Sequence, residues 1–243
     1  MLDTAAPNLA RARDYLLGGG ASFAADRALA RRLEELYPGI RDVLFSSRSY
    51  AADAVARIAR AGVDQFIDLG SGLPTTPATH ETARAFQPGA RVVYVDRDPD
   101  VVQHGAALVP AGVRYVAGDL AEPEAILASA DVRGLIDFTR PVGLVLALIV
   151  QALDPGTARA VGGILVRALP AGSHLIATAV PGEASMPGFT WTGAFTADDL
   201  ASFFAGLELE PPGVSQRQGT PGTQPAGQGL TLCAAGVKPA KRG

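Results

Sequence analysis

Three acids, Asp68, Asp96 and Asp119, each close a short apolar run, and the first is followed by the pair Gly70 and Gly72. Glycine has no Cβ, so a G-x-G turn lets the backbone bend tightly and approach a ligand closely. A carboxylate at the end of a second strand can accept hydrogen bonds from both hydroxyls of a ribose. One at the end of a third strand, Asp119 here, is placed to accept from an adenine amino group. The plainer reading keeps Asp68 and the two glycines as turn residues only, since Asp before Gly commonly accepts from turn N–H groups. Asp96 and Asp119 tip that balance towards a nucleoside-binding edge. The third glycine of the dinucleotide fingerprint is missing, with Leu73-Pro74-Thr75 in its place, and this disfavours an NAD-dependent oxidoreductase.

These acids need a sheet whose strands all end on one edge. The runs 63–69, 91–96 and 113–117 carry the β-branched and aromatic residues of strands, the sheet beginning at Val63. Val142–Leu148 reads as a fourth, fully buried strand and His174–Val180 as a fifth, with Leu207–Glu210 and Leu230–Gly236 as a closing pair. Between them lie helices predicted to start at Thr76-Pro77, Asp98-Pro99, Asp154-Pro155 and Thr196, and short helical turns over 124–127 and 131–135. Three further helices precede the sheet: 7–17, ending at Gly18-Gly19-Gly20, then 23–36 and 41–60. Alternating strands and helices imply a parallel sheet. The expected fold class is α/β: a Rossmann-like, doubly wound, mostly parallel seven-stranded sheet. A helical extension (1–61) precedes the sheet domain (62–243), the two forming one compact unit.

Composition narrows the function. The chain has 243 residues, 48% of them hydrophobic, and a net charge of −3. No basic stripe is present for phosphates, so nucleic acid is not an expected partner. The polar stretch 2–12 lacks an apolar signal core, and the longest apolar run, 142–150, is far shorter than the ~20 residues of a membrane helix. A cytoplasmic protein without a membrane partner is expected. His80, His104 and His174 have no metal-ligand spacing, and Cys233 lies in a strand as a small buried thiol. No metal is expected. Arg13, Arg31, Arg32 and Arg48 read mostly as solvated helix faces, with Arg48 the one placed to face the site. Trp191 and Phe189 suit either a substrate cover or a plug of the loop over 181–195.

The order Asp68-Leu69-Gly70-Ser71-Gly72, Val92-Val93-Tyr94-Val95-Asp96 and Ala117-Gly118-Asp119-Leu120 resembles class I S-adenosylmethionine-dependent methyltransferases. More narrowly, the chain is similar to the actinobacterial S-adenosyl methyltransferase family once classed as a domain of unknown function. That likeness rests on Asp14-Tyr15-Leu16-Leu17-Gly18-Gly19, Phe23-Ala24-Ala25-Asp26-Arg27, the run from Gln65 to Pro74, Val92 to Pro99, and Ile136 to Val142.

The resemblance implies S-adenosylmethionine as cofactor. Its binding residues would be Tyr15, Gly18 and Gly19 from the N-terminal element, and Asp68, Gly70, Ser71 and Gly72 from the first turn. Asp96 and Arg97 would follow from the second strand, and Gly118, Asp119 and Leu120 from the third. The chain departs from the family pattern at Gly20-Ala21-Ser22, at Ser47 and at Gln151-Ala152, where Lys-Asp-Asn, Asn and His-Phe are usual. Gln151 is the residue expected nearest the methyl acceptor. A glutamine orients by hydrogen bonding and takes no proton at neutral pH. The expected function is methyl transfer to a small molecule, with secondary metabolism as the setting. The alternative is a non-methylating protein of the same fold that binds a ligand or stabilises a partner. A homodimer or a heteromeric assembly fits either.

Overall fold

The computed structural model describes residues 3–182, 195–218 and 230–240. Phe189 and Trp191 lie outside them, as does most of the Gly/Pro/Gln-rich stretch after Gln218. Three helices come first: α1 (Leu9–Leu16), α2 (Ala24–Leu36) and α3 (Ile40–Arg60). The chain then alternates through β1 (Gln65–Leu69), α4 (Thr79–Arg84), β2 (Arg91–Asp96), α5 (Pro99–Ala106) and β3 (Val113–Ala117). It continues through α6 (Pro123–Ala128), α7 (Ala130–Arg133), β4 (Gly143–Ala147), α8 (Pro155–Ala168), β5 (His174–Ala179) and α9 (Ala197–Phe203). The described residues close with β6 (Glu208–Leu209), β7 (Ser215–Gln218) and β8 (Leu230–Val237).

The sheet order is β3-β2-β1-β4-β5-β8-β6, with β7 also on β8. The first five strands are parallel and β8 runs antiparallel to β5. The strand order reverses beside β1, which has β2 on one side and β4 on the other. Ligands of open α/β sheets bind at the carboxyl end of that reversal. The described sheet has eight strands, not seven. The additional one is β7, whose polar Ser-Gln-Arg-Gln sequence carries no strand signal and pairs because β8 offers it an open edge.

Strand residues alternate between two buried faces, as strands covered on both sides must. Ile67, Leu69, Val93, Val95, Leu144 and Leu146 pack under α6–α9. Phe66, Val92, Tyr94, Val145 and Ile176 pack under α3–α5. A third cluster joins α1, α2 and α3 to Leu148 and Val180, which places the N-terminal helices over the carboxyl ends of β4 and β5.

One predicted helix start is corrected. α4 begins at Thr79 rather than at Thr76-Pro77, because the Glu81 carboxylate accepts from the Ala78 N–H at 2.9 Å and closes the first turn there. The Thr79 hydroxyl, in the first turn, donates to Asp68 at 2.6 Å.

Candidate functional site

At the end of β1 the chain hooks onto β2: the N–H groups of Gly70 and Ser71 donate to Val95 O at 2.8 and 3.1 Å. Gly70 adopts φ 64° and Gly72 φ 61°, the left-handed region that glycine enters at no steric cost. A Cβ on Gly70 would lie 2.3 Å from the Ile149 side chain, so the loops after β1 and β4 meet over a bare backbone. Beneath the turn, Tyr115 donates to Gly72 O at 2.9 Å and stacks on Tyr94, whose hydroxyl in turn meets the His80 ring and N–H. His80 is therefore a hydrogen-bonded core histidine, and burial lowers its pKa.

Asp96 is held from both sides. One carboxylate oxygen accepts from Gly72 N at 2.9 Å and the other from Asp98 N at 3.0 Å. This fixes the carboxylate while leaving it lone pairs for further donors. Asp119 accepts from Ala121 N at 2.9 Å and faces Arg97 at 3.9 Å across an exposed gap.

A cavity of about 220 Å³ opens over these groups. Gly70, Gly72, Asp96, Arg97, Gly118, Asp119 and Leu120 all line it. The rest of its wall carried no recognisable motif. Ile126 comes from α6, Leu148, Ile149, Ala152 and Leu153 from the loop after β4, and Leu9, Ala10 and Arg13 from α1. Leu148 sits at φ 56°, where a branched residue is strained, and its N–H is shared between Thr178 O and Thr178 Oγ1.

Four expected positions fall elsewhere in the structure, Tyr15, Gly18, Gly19 and Gln151. Gly18 and Gly19 terminate α1: Gly18 N donates to Tyr15 O at 3.0 Å and Gly19 N to Asp14 O at 2.8 Å, a left-handed helix stop with Gly18 at φ 87°. A Cβ on Gly19 would lie 2.1 Å from the Asp14 carboxylate, which accepts from Ala21 N and Thr75 Oγ1. Asp14 thus pins the glycine loop to the turn after β1. Gly18 and Gly19 border a separate open hollow with His80 and His104, while Tyr15 packs against the cluster of α1–α3. Gln151, in a short 3₁₀ turn (Val150–Ala152), is 2% exposed and absent from the cavity wall that its neighbours form. Neither polar atom of its side chain has a hydrogen-bond partner among the described residues.

Asp68 and Ser71 line a second, smaller cavity between α1, α3 and the ends of β1 and β4. Arg13 and Leu148 border both cavities. Burial pushes the Asp68 carboxyl up to about 6, against the pull of Thr79, Arg48 and Arg13. Burial and the neighbouring Arg48 bring Arg13 down to about 10, with Asp96 and Asp68 working the other way. Arg13 is therefore not the solvated helix residue that its sequence context suggested. Nothing in residue spacing reports which face α1 turns to the sheet.

The N-terminal helix is tied down across the main cavity. Asn8 caps α1 through Ala10 N and Arg11 N, and its amide donates to Asp98 at 2.6 Å. Asp98 also caps α5, and its N–H holds Asp96, so one chain of hydrogen bonds runs from the strap to the strand-end carboxylate. Among the described residues no group of His, Cys, Asp and Glu is arranged to hold a metal, and no helix is long and apolar enough to cross a membrane.

The profile of the S-adenosyl methyltransferase family matches residues 1–237. The chain belongs to that family. A candidate methyltransferase from Thermobifida fusca YX is 35% identical, with 98% of this chain and 97% of that one aligned at a TM-score of 0.83. A DUF574 family protein from Streptomyces avermitilis MA-4680 is 30% identical over 98% of this chain and 100% of that one, with a TM-score of 0.81. The N-methyltransferase NodS from Bradyrhizobium japonicum WM9, solved with S-adenosyl-L-homocysteine, shares the fold at 14% identity and a TM-score of 0.54, over 78% of this chain and 86% of that one. No curated protein matches. The family's cofactor is S-adenosylmethionine and its class of activity methyl transfer. The site suits that cofactor: a pinned carboxylate for a ribose, an apolar wall of Leu120, Ile126 and Leu153 for a base, and a glycine turn open to close approach.

Proposed function

We propose that this family member methylates a small molecule, a secondary metabolite by class, held over the carboxyl ends of β1 and β4. The observation that carries the reading is the single cavity bounded by the glycine turn, Asp96 and Asp119 and roofed by α1. In it Asp96 receives the ribose, Asp119 and Leu120 flank the base, and residues 1–61 form an extension that covers the domain of 62–243. A roofed cavity and a chain with net charge −3 favour a small acceptor over a polyanion.

The bound cofactor supplies an activated sulfonium methyl group, so alignment of the acceptor carries most of the catalysis. The chain's own residues supply that alignment. Asp96 fixes one end of the cofactor, the loop after β4 sets the wall opposite it, and α1 excludes water. Gln151 offers no base, so methyl transfer is expected to run without proton abstraction from that position.

Titration calorimetry with S-adenosylmethionine, S-adenosylhomocysteine and NAD tests the reading. The first two should bind and NAD should not. Asp96→Ala should weaken both by roughly ten- to a hundredfold, since hydrogen bonds to a charged acceptor are worth about 1.5–3 kcal/mol. Undiminished affinity in Asp96→Ala and Asp119→Ala together would place the cofactor elsewhere. Incubation with labelled cofactor and the small molecules made by neighbouring genes identifies the acceptor.

A further inference from the structure

One residue of the turn after β1 is gripped at both of its peptide groups. Gly72 donates its N–H to Asp96 at 2.9 Å, and its carbonyl accepts from Tyr115 at 2.9 Å and from Ser71 Oγ at 3.2 Å. Both lone pairs of that carbonyl are therefore filled by the protein. Gly72 sits at φ 61°, and a glycine enters positive and negative φ about equally readily. Left to itself, the turn would hold its N–H in no fixed direction. The bond from Tyr115 reaches the turn from the buried side, 43 residues along the chain. It selects the conformation in which the Gly72 N–H meets Asp96.

The Tyr115 ring is itself seated with care. It stacks on Tyr94 with centroids 4.9 Å apart and planes 23° from parallel. Gly105, inside α5, leaves it room, since a Cβ there would lie 2.4 Å from the ring. A glycine inside a helix is less stable than an alanine, so α5 is weakened to seat this ring. A phenylalanine would fill the same space and stack as well. The hydroxyl adds only the bond to Gly72, and burial pushes the phenol above its ordinary range, which keeps it a donor. The other donor to Asp96 is the N–H of Asp98, the residue that caps α5. Both donors to the carboxylate thus trace to one helix, directly through its cap and indirectly through Gly105, Tyr115 and Gly72.

We propose that Tyr115 is a positioning residue for the cofactor's ribose: its hydroxyl fixes Gly72, Gly72 aims Asp96, and Asp96 takes the sugar hydroxyls. The proposal rests on the cofactor reading above and adds what makes the carboxylate selective. With Gly72 N on one oxygen and Asp98 N on the other, the carboxylate is held against rotation. Its remaining lone pairs keep one orientation, which two neighbouring hydroxyls can match. Without the Tyr115 bond the Gly72 N–H is free to turn away, and the carboxylate swings on a single donor. Tyr94, the stacking partner, bonds His80 rather than the turn.

The test compares two ligands on the full-length chain by calorimetry: S-adenosylhomocysteine, and its 2′,3′-dideoxy analogue, which lacks both ribose hydroxyls. Tyr115→Phe should weaken S-adenosylhomocysteine about three- to tenfold, the scale of one neutral hydrogen bond. The same variant should leave the analogue within about twofold. Tyr94→Phe removes a buried hydroxyl from the neighbouring ring and should leave the preference for S-adenosylhomocysteine over the analogue unchanged. Gly105→Ala, which crowds the Tyr115 ring from α5, should reproduce the ribose-selective loss, so either variant decides if the other fails to fold. Undiminished S-adenosylhomocysteine affinity in Tyr115→Phe overturns the proposal. Equal loss of both ligands makes the tyrosine structural and also overturns it, as does the same change of preference in Tyr94→Phe. A parent that binds both ligands equally removes Asp96 as the ribose acceptor and the proposal with it. If the parent binds neither, the cofactor reading itself fails.

Discussion

Arg11 and Arg13 stand two residues apart on one helix and live in opposite circumstances. Arg11 is saturated. Its Nε meets Asp26 at 2.8 Å, its terminal nitrogen donates to Asp3 O and Ala6 O, and its plane lies over Phe23. Asp26 is saturated too, accepting from Arg11, Asn8 N and Phe23 N. Burial opposes the charge on Asp26, yet these bonds outweigh it and hold the carboxyl below its ordinary range. Arg13, on the other face of α1, borders two cavities with no partner among the described residues. A buried charge with its counter-charge and hydrogen-bond partners in place belongs to the architecture. A half-buried charge that faces cavities with its directions open is held ready for something else.

The largest test of that contrast is a pair of variants. Arg11→Met should destabilise the protein by about 3–5 kcal/mol, because it leaves Asp26 buried and unpaired at 0% exposure. Arg13→Met should cost less than about 1 kcal/mol without ligand, since it removes a repulsion along with a charge. Denaturant unfolding measures both, and similar costs for the two would erase the distinction.

Asp68 sharpens it from the acidic side. Its carboxyl titrates near 6 in the folded chain against an ordinary value of 3.8, so the folded state binds the proton more tightly. Stability from this group is therefore present at low pH and is lost as pH rises between those values. Asp68→Asn should remove that slope and stabilise the ligand-free protein above pH 7 by about 2–3 kcal/mol. The same variant should weaken S-adenosylhomocysteine. Parallel stability–pH curves for parent and variant would show that Asp68 ionises without cost and needs no ligand.

The smallest expected effect concerns Gln151. Two buried polar atoms without partners cost stability, so Gln151→Leu, similar in volume and apolar, should raise stability by about 1–2 kcal/mol. If methyl transfer survives in that variant, the side chain plays no part in holding the acceptor. A loss of stability would mean that its amide is satisfied after all.

Much of the fold could be read from residue types. The β-branched run closed by Asp96 located β2 to the residue and the one closed by Asp68 located β1 with its start two residues early, and Asp98-Pro99 and Asp154-Pro155 marked the starts of α5 and α8. Short-range physics sets these: strand propensity, a capping carboxylate, a proline at a first turn. β7 was not legible, because its polar residues pair through backbone groups that any sequence carries. Half of the cavity was legible too, since carboxylates and glycines at strand ends signal their own use.

The sequence by itself therefore determined the parallel sheet, the glycine turn, the acids at three strand ends and the family. Only the tertiary structure decided which way α1 faces. Asn8 reaches Asp98 from 90 residues away, and Asp14 reaches Thr75 from 61. Those contacts turn Arg11 inward to Asp26 and leave Arg13 over the sheet. Residue types alone do not separate the two arginines, because a helix shows every face in its sequence and packing selects one.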